Sequence, residues 1–345
     1  YPTPNHWVLE SEQIRALWAH HLQFGKQPDA RLKRHSLLML EKSQLALDIP
    51  PTESAIILDQ DSDEIVAMVY RNFIPTQYES ILDWINGVIV AGIRRKKSAK
   101  LEDPGRIVQT GYSAGSRSQP RFDWAKNLLS RAKTSTKNEL EGVEYMESSV
   151  FALFWNMARR IVPSVISDDL ETFLSSGITR MDAKGKQRDN TTYTIKYDSK
   201  IYEFKQGELA PPVGFMASNY SRYEILTKKI RAIHKESGPH KYSLFWTTER
   251  SLGEDEGGNF FIADYGIRVQ GAKNSMVVWQ TNMFHGTSLA KLESIDSDQG
   301  RGQAGLSIIS PNRLPKMWDN YMKERVDKNT LEEELEEGLG EEEWE

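Results

Sequence analysis

The sequence predicts an α+β fold: a double-stranded β-helix (jelly-roll) core buttressed by N-terminal helices. Three observations predict it. Over much of residues 1–175, apolar side chains recur at helical spacing. From about residue 176 the pattern changes to short alternating or β-branched runs separated by turn residues. Turns every ~8–12 residues are the pattern of a barrel or a double-sheet jelly roll. Three of these runs lie between a His-x-Glu pair, His234 and Glu236, and a further histidine, His285. Helices gathered at the N-terminus would pack on one face of the sheet.

Composition narrows the class. A chain of 345 residues can bury a large core in one or two domains. Nine Trp, thirteen Tyr and twelve Phe exclude a disordered chain. Cysteine is absent, which removes disulfides, zinc–thiolate sites and cysteine nucleophiles, and fits an intracellular protein, nuclear or cytoplasmic. No apolar run approaches the ~20 residues of a membrane span, so no membrane partner is expected. No signal peptide is visible, and a start at Tyr1 suggests a trimmed chain or a fragment. Residues 331–345 hold nine Glu and no Lys or Arg, so the net charge of −5 becomes +4 without them. An acidic tail, disordered or partly helical, therefore follows a mildly basic body that permits a nucleic-acid partner.

The organisation expected is a mainly helical part with a β-hairpin over 1–175, a jelly-roll core over 176–325 and a disordered acidic tail over 326–345. Ser11 caps a helix carrying Ile14, Leu17, Trp18 and Leu22, and a second helix is expected over Ser36–Leu47. Ala55–Asp59 and Ile65–Tyr70 flank Gln60-Asp-Ser-Asp-Glu64, a hairpin. A helix over 78–97 ends in Arg94-Arg-Lys-Lys-Ser-Ala-Lys100. Those cations either complement the helix C-terminus or form a phosphate-facing patch or a nuclear localisation signal. Gln109–Pro120 is polar and Gly/Ser-rich, hence a loop, and it lacks the Gly-Lys-Ser/Thr ending of a phosphate-binding loop. Helices are expected near 122–133, 145–161 and 167–174. Thr191–Tyr197 and Lys200–Lys205 flank Asp198-Ser199, a second hairpin. Further strands are expected at Tyr242–Thr248, Asn259–Val269 with a bend at Gly266, Ser275–Gln280 and Gly305–Ser310, then a short helix near Pro315–Arg325.

The chemistry sits between His234 and His285. Two neutral imidazoles and one carboxylate, with positions left open, make up the ligand set of a non-haem iron(II) oxygenase site. In an extended segment, residues i and i+2 point the same way, so His234 and Glu236 can converge on one ion. His285 lies about fifty residues on, a separation that suits a jelly roll, where distant strands become neighbours. Each half of the pattern is weak alone; a lone histidine is more often a surface or satisfied core residue than a ligand. His240 is a rival ligand, but no carboxylate follows at i+2. His20 and His21 fall in the N-terminal helix and read as surface or packing residues. Glu254-Asp255-Glu256 is a solvated turn or a cation site. Trp246, Phe260, Phe261 and Trp279 are core or cavity lining. Arg222, Lys228, Lys229 and Arg231 form either a solvated helix face or a phosphate contact at the pocket mouth.

The run Gly257-Gly-Asn-Phe-Phe-Ile-Ala-Asp-Tyr-Gly-Ile-Arg-Val, then Lys273-Asn-Ser-Met-Val-Val-Trp, then His285-Gly-Thr-Ser resembles the core of the 2-oxoglutarate/Fe(II) dioxygenases. More narrowly, it is similar to the fungal TET/JBP-like group, over roughly residues 215–315. The resemblance implies iron held by His234, Glu236 and His285. It implies 2-oxoglutarate chelating that iron, with a basic residue on the last strand pairing with its far carboxylate. Arg301 is the candidate for that role, with Arg313 and Arg268 as runners-up, while Gln303 stands where the family arginine often sits. Asn219 and Tyr220 would donate hydrogen bonds to the cosubstrate. The family's usual Asp is Glu236 here, one methylene longer. The implied reaction is hydroxylation of a C–H bond, on a modified nucleic-acid base such as 5-methylcytosine flipped out of its stack. The alternatives are the same chemistry on a small metabolite, or a catalytically silent jelly-roll module that binds nucleic acid or protein.

Overall fold

The computed structural model describes residues 1–24, 35–99, 106–129, 136–183, 192–218, 231–291 and 302–323. Arg301, Asn219, Tyr220, Arg222, Lys228, Lys229 and the acidic tail lie outside the described residues. In chain order the elements are β1 (His6–Leu9), α1 (Glu12–Phe24), β2 (Ser36–Met39), β3 (Leu47–Ile49), β4 (Ala55–Leu58) and β5 (Ile65–Tyr70). There follow α2 (Ile81–Arg95), β6 (Arg106–Ser116), β7 (Gln119–Trp124), α3 (Lys137–Ile161), α4 (Ser164–Ser175), β8 (Thr192–Tyr197), β9 (Lys200–Lys205) and β10 (Val213–Ser218). The last are β11 (Tyr242–Arg250), β12 (Phe260–Ile262), β13 (Ile267–Val269), β14 (Ser275–Gln280), β15 (His285–Thr287), β16 (Gln303–Ile308) and α5 (Leu314–Met322).

Two sheets build the core. One has eight strands in the order β4-β5-β14-β11-β16-β10-β6-β7; the other has four, β15-β12-β13-β3. Strand alternation gives the large sheet two different faces. Val69, Phe215, Val277 and Trp279 share a buried cluster with Ile262, Ile267 and Val269 of the small sheet. Their neighbours Met216, Trp246, Met276 and Val278 pack with Ile85 and Ile89 of α2 and Phe151, Phe154 and Trp155 of α3. The result is the expected α+β jelly roll, with helices against the outer face of its large sheet.

Local chemistry explains several boundaries. Ser11 Oγ accepts from Ile14 N at 3.3 Å and starts α1. Asp198 and Ser199 both take positive φ, 46° and 60°, as a tight two-residue hairpin needs. Gly266, at φ 62°, bends the predicted strand into β12 and β13. α3 begins at a capping box: Glu139 N donates to Thr136 Oγ1 at 3.3 Å, and Thr136 N to Glu139 Oε2 at 2.9 Å.

Three expectations fail. The helix expected over Ser36–Leu47 is instead β2, a 3₁₀ turn at Lys42–Gln44 and β3, each strand pairing in parallel with a distant one. The loop Gln109–Pro120 is most of β6 and the start of β7, and no helix occupies 122–129. Their polar residues hide strands whose stability comes from pairing: β6 is zipped to β10 from Arg106 to Gly111. Residues 1–175 thus place β4, β5, β6 and β7 in the same sheet as β10, β11, β14 and β16. The basic run after α2 also divides. Arg94 and Arg95 lie in the last turn, while Lys96 is buried and donates to Glu147 Oε2 at 2.5 Å and Thr110 Oγ1 at 2.8 Å.

Candidate metal centre and pocket

His234 and His285 face each other across an antiparallel bridge. His234 N donates to His285 O at 2.8 Å, and His285 N to His234 O at 2.7 Å. β12 holds the second histidine through the Ile262–His285 pairing, and Glu236 N donates to Thr281 O at 3.1 Å. Gly286 permits the close approach: a Cβ there would lie 2.9 Å from Arg231 O and 3.0 Å from Ala232 O. Ligand atoms of His234, Glu236 and His285 all fall within 4.8 Å of one another, and all three residues are buried.

Hydrogen bonds prepare both imidazoles as ligands. His234 Nδ1 lies 2.7 Å from Ala232 O, and His285 Nδ1 lies 2.7 Å from Met283 O. A carbonyl only accepts, so each Nδ1 carries a proton, and a metal-binding ring would present its lone pair at Nε2. His234 Nε2 then stands 3.0 Å from Glu236 Oε1, two electron-pair donors face to face. That contact is favourable only with an added proton or a shared cation. Glu236 Oε2 is buried and has no hydrogen-bond partner among the described residues. Both features fit a divalent ion held by the three side chains.

The charge states fit as well. Burial raises the Glu236 pKa, but Arg231 and His234 outweigh it and bring the pKa down to about 2. Burial, then His234, lowers His285 to about 3. At neutral pH the site therefore offers a carboxylate and an uncharged His285, as metal ligation requires. Arg231, assigned from sequence to a helix face or a phosphate contact, instead forms an ion pair with Glu236 Oε1.

The triad opens into a cavity of about 90 Å³, several times the room one water needs. Phe215, Phe245, Phe260 and Trp279 make aromatic walls, and the Trp279 ring centre lies 5.3 Å from that of His285. Phe260 and Trp279 are therefore pocket residues, whereas Trp246 and Phe261 belong to the core. Gln303 lines the pocket and accepts from Arg250 Nη1 at 2.9 Å.

Other candidates fall away. His240 donates from Nδ1 to Tyr242 O at 2.7 Å and accepts Ser310 N at 3.2 Å, a satisfied core histidine. Arg268 is buried in ion pairs with Glu10 and Asp48, so it is not available to a cosubstrate. Arg313 precedes α5 and is not among the pocket-lining residues. Glu256 pairs with Lys291 at 3.0 Å, as a solvated turn would. His20 is on the exposed side of α1. Sequence reasoning missed Arg71, which lines the pocket directly after the apolar strand β5. No helix of the described residues is long and apolar enough to cross a membrane.

No protein-family model matches the chain, and no curated protein does. Among solved structures it is similar to NgTET1 in complex with 5mC DNA, at 10% identity over 86% of this chain and 90% of that one, with a TM-score of 0.44. It is also similar to a 2OG-Fe(II) oxygenase family oxidoreductase from Burkholderia pseudomallei, at 9% identity over 70% and 82% of the two chains, TM-score 0.33. A third is OsALKBH1, at 11% identity over 71% and 97%, TM-score 0.32.

Proposed function

We propose that the chain is an Fe(II)- and 2-oxoglutarate-dependent dioxygenase that hydroxylates a C–H bond. One observation carries the reading. Two imidazoles locked with Nδ1–H on backbone carbonyls and a buried carboxylate with one unpartnered oxygen converge at the end of an apolar pocket. His234, Glu236 and His285 would hold the iron. When bound, iron and 2-oxoglutarate supply the power to oxidise an unactivated C–H bond with dioxygen, releasing succinate and carbon dioxide. The chain's own part is to hold the ligands in one geometry, to keep the cavity dry with Phe215, Phe245, Phe260 and Trp279, and to orient the substrate.

For the substrate we infer a modified nucleic-acid base such as 5-methylcytosine. The sequence resemblance suggests it, and aromatic walls beside the metal ligands suit a flat ring taken out of its stack. Anaerobic titration with Fe(II) and 2-oxoglutarate tests the class: a metal-to-ligand charge-transfer band should appear, and His285→Ala should lose it. Absence of iron binding and of succinate release with every substrate would leave a silent module. Oxidised 5-methylcytosine in DNA, with affinity falling steeply as salt rises, supports the base; turnover of a small metabolite without that salt dependence refutes it.

A further inference from the structure

Beyond the metal ligands, the pocket holds a second kind of incompleteness. Arg71 lines it and is only 6% exposed. Its Nε donates to Glu53 O at 3.1 Å, and its Nη2 to Pro50 O at 2.9 Å and Gln270 O at 2.8 Å. Its Nη1 is buried without a hydrogen-bond partner among the described residues. No carboxylate pairs with it there. A second guanidinium stands close by. Arg250 donates from Nη1 to Gln303 Oε1 at 2.9 Å and from Nη2 to Gly257 O at 2.8 Å, again to neutral acceptors. Gly271, a pocket residue, makes room for it: a Cβ there would lie 2.7 Å from Arg250 Cζ.

Burying a charge without a counter-charge is expensive, and placing two like charges together adds to the cost. Both effects are visible: burial first, then Arg250, lowers the Arg71 pKa to about 10, and burial lowers Arg250 to about 10. Arg268 shows the contrasting solution, a buried guanidinium neutralised by Glu10 and Asp48. Arg250 feels Glu10 and Glu256 nearby, but Arg71 has no such counter-charge, and a site that keeps a buried cation without one beside a cavity is built for an anionic guest.

The register places this pair relative to the metal triad. Tyr70 pairs with Met276, so the next antiparallel step sets Arg71 level with Ser275. Ser275, Val277 and Trp279 all line the pocket along one face of β14, and Trp279 lies against His285. That face spans roughly 13 Å from Ser275 to Trp279 at ~3.3 Å per residue. One wall thus joins the arginine end to the metal end.

Resting on the reading of the pocket as a 2-oxoglutarate site, we propose that Arg71, backed by Arg250, is the anchor for the far carboxylate of the cosubstrate. The N-terminal part of the chain supplies that anchor, from the end of β5, while the last strand contributes the neutral Gln303.

Two variants test it, in the full chain. With Fe(II) under argon, 2-oxoglutarate and 2-oxobutyrate both chelate through the keto-acid end, but only the first carries a far carboxylate. Arg71→Gln should weaken 2-oxoglutarate about 30-fold, the order expected for a lost charge-assisted hydrogen bond. It should leave the band position, the 2-oxobutyrate affinity and the Fe(II) affinity unchanged. Gln303→Glu sets a carboxylate against Arg250 in nearly the same shape. It should raise the melting temperature and weaken 2-oxoglutarate similarly. Equal weakening of both keto acids by Arg71→Gln, or of neither, overturns the proposal. Glutarate binding to the metal-free protein separates the two readings. If no charge-transfer band forms but glutarate binds in an Arg71-dependent way, the dioxygenase reading fails and the carboxylate subsite stands. If glutarate does not bind either, both fail.

Discussion

The two faces of the large sheet are made from the same strands and do opposite things. On the helix side, Trp246, Met276 and Val278 meet Phe151, Phe154 and Trp155 in a closed apolar layer. On the small-sheet side, the alternate residues Phe245, Val277 and Trp279 border a cavity with Glu236 Oε2 and Arg71 Nη1 left without partners. Trp155 and Trp246 on the helix side also leave their indole N–H groups without partners among the described residues. Glu236 and Arg71, however, are charged groups, whose burial without partners costs more, so the pocket side weakens the fold more. One strand carries both roles because its side chains alternate, and neither role can be moved by one residue without exchanging them.

The largest expected effect lies on the pocket side. His285→Ala should abolish iron-dependent succinate release while leaving the melting temperature within a few degrees of wild type. A collapse of the fold instead would make His285 a packing residue and erase the distinction between the faces. Next, Trp246→Ala on the helix side should cost about 3–5 kcal/mol in urea unfolding, with iron affinity retained in the fraction that stays folded. An iron affinity that fell in step would show the faces to be coupled.

Acid should act on the pocket side too. Buried His285 binds its proton only near pH 3 when folded, against 6.5 for the ordinary side chain. Between those values the unfolded chain binds more protons, so the stability of the metal-free protein should fall as pH drops from about 6.5 towards 3. Buried His240, also lowered by desolvation, acts in the same direction. His285→Ala should flatten the decline, and an unchanged slope would assign it elsewhere. The smallest effect belongs to the cap of α3: Thr136→Ala should cost about 1 kcal/mol in thermal unfolding and leave the pocket untouched.

Much of this was legible in the chain. Alternation and turn residues foretold β4–β5, β8–β9, β11, β14 and β16, and the His234-x-Glu236 pair with His285 foretold a cluster of two imidazoles and a carboxylate. The failures share a cause. β6 reads Gln109-Thr-Gly-Tyr-Ser-Ala-Gly-Ser over most of its length, without the apolar alternation that announces a strand; it exists because β10 and β7 supply its hydrogen bonds. Leu37–Met39 looked helical until β1 paired with it. The capping box Thr136–Glu139 was present in the sequence and marked the true start of α3.

By itself the sequence determined the fold class, the alternation of its core strands and the three residues, His234, Glu236 and His285, that the fold gathers into one cluster. Those rest on local rules: a period of two or 3.6, and the common direction of residues i and i+2. Only the tertiary structure decided that Arg268 is neutralised by Glu10 while Arg71 is not, and that Phe260 and Trp279 line a cavity while Trp246 fills a core. Whether a buried charge has a partner depends on which distant strands become neighbours, and no stretch of sequence records what is missing from its surroundings.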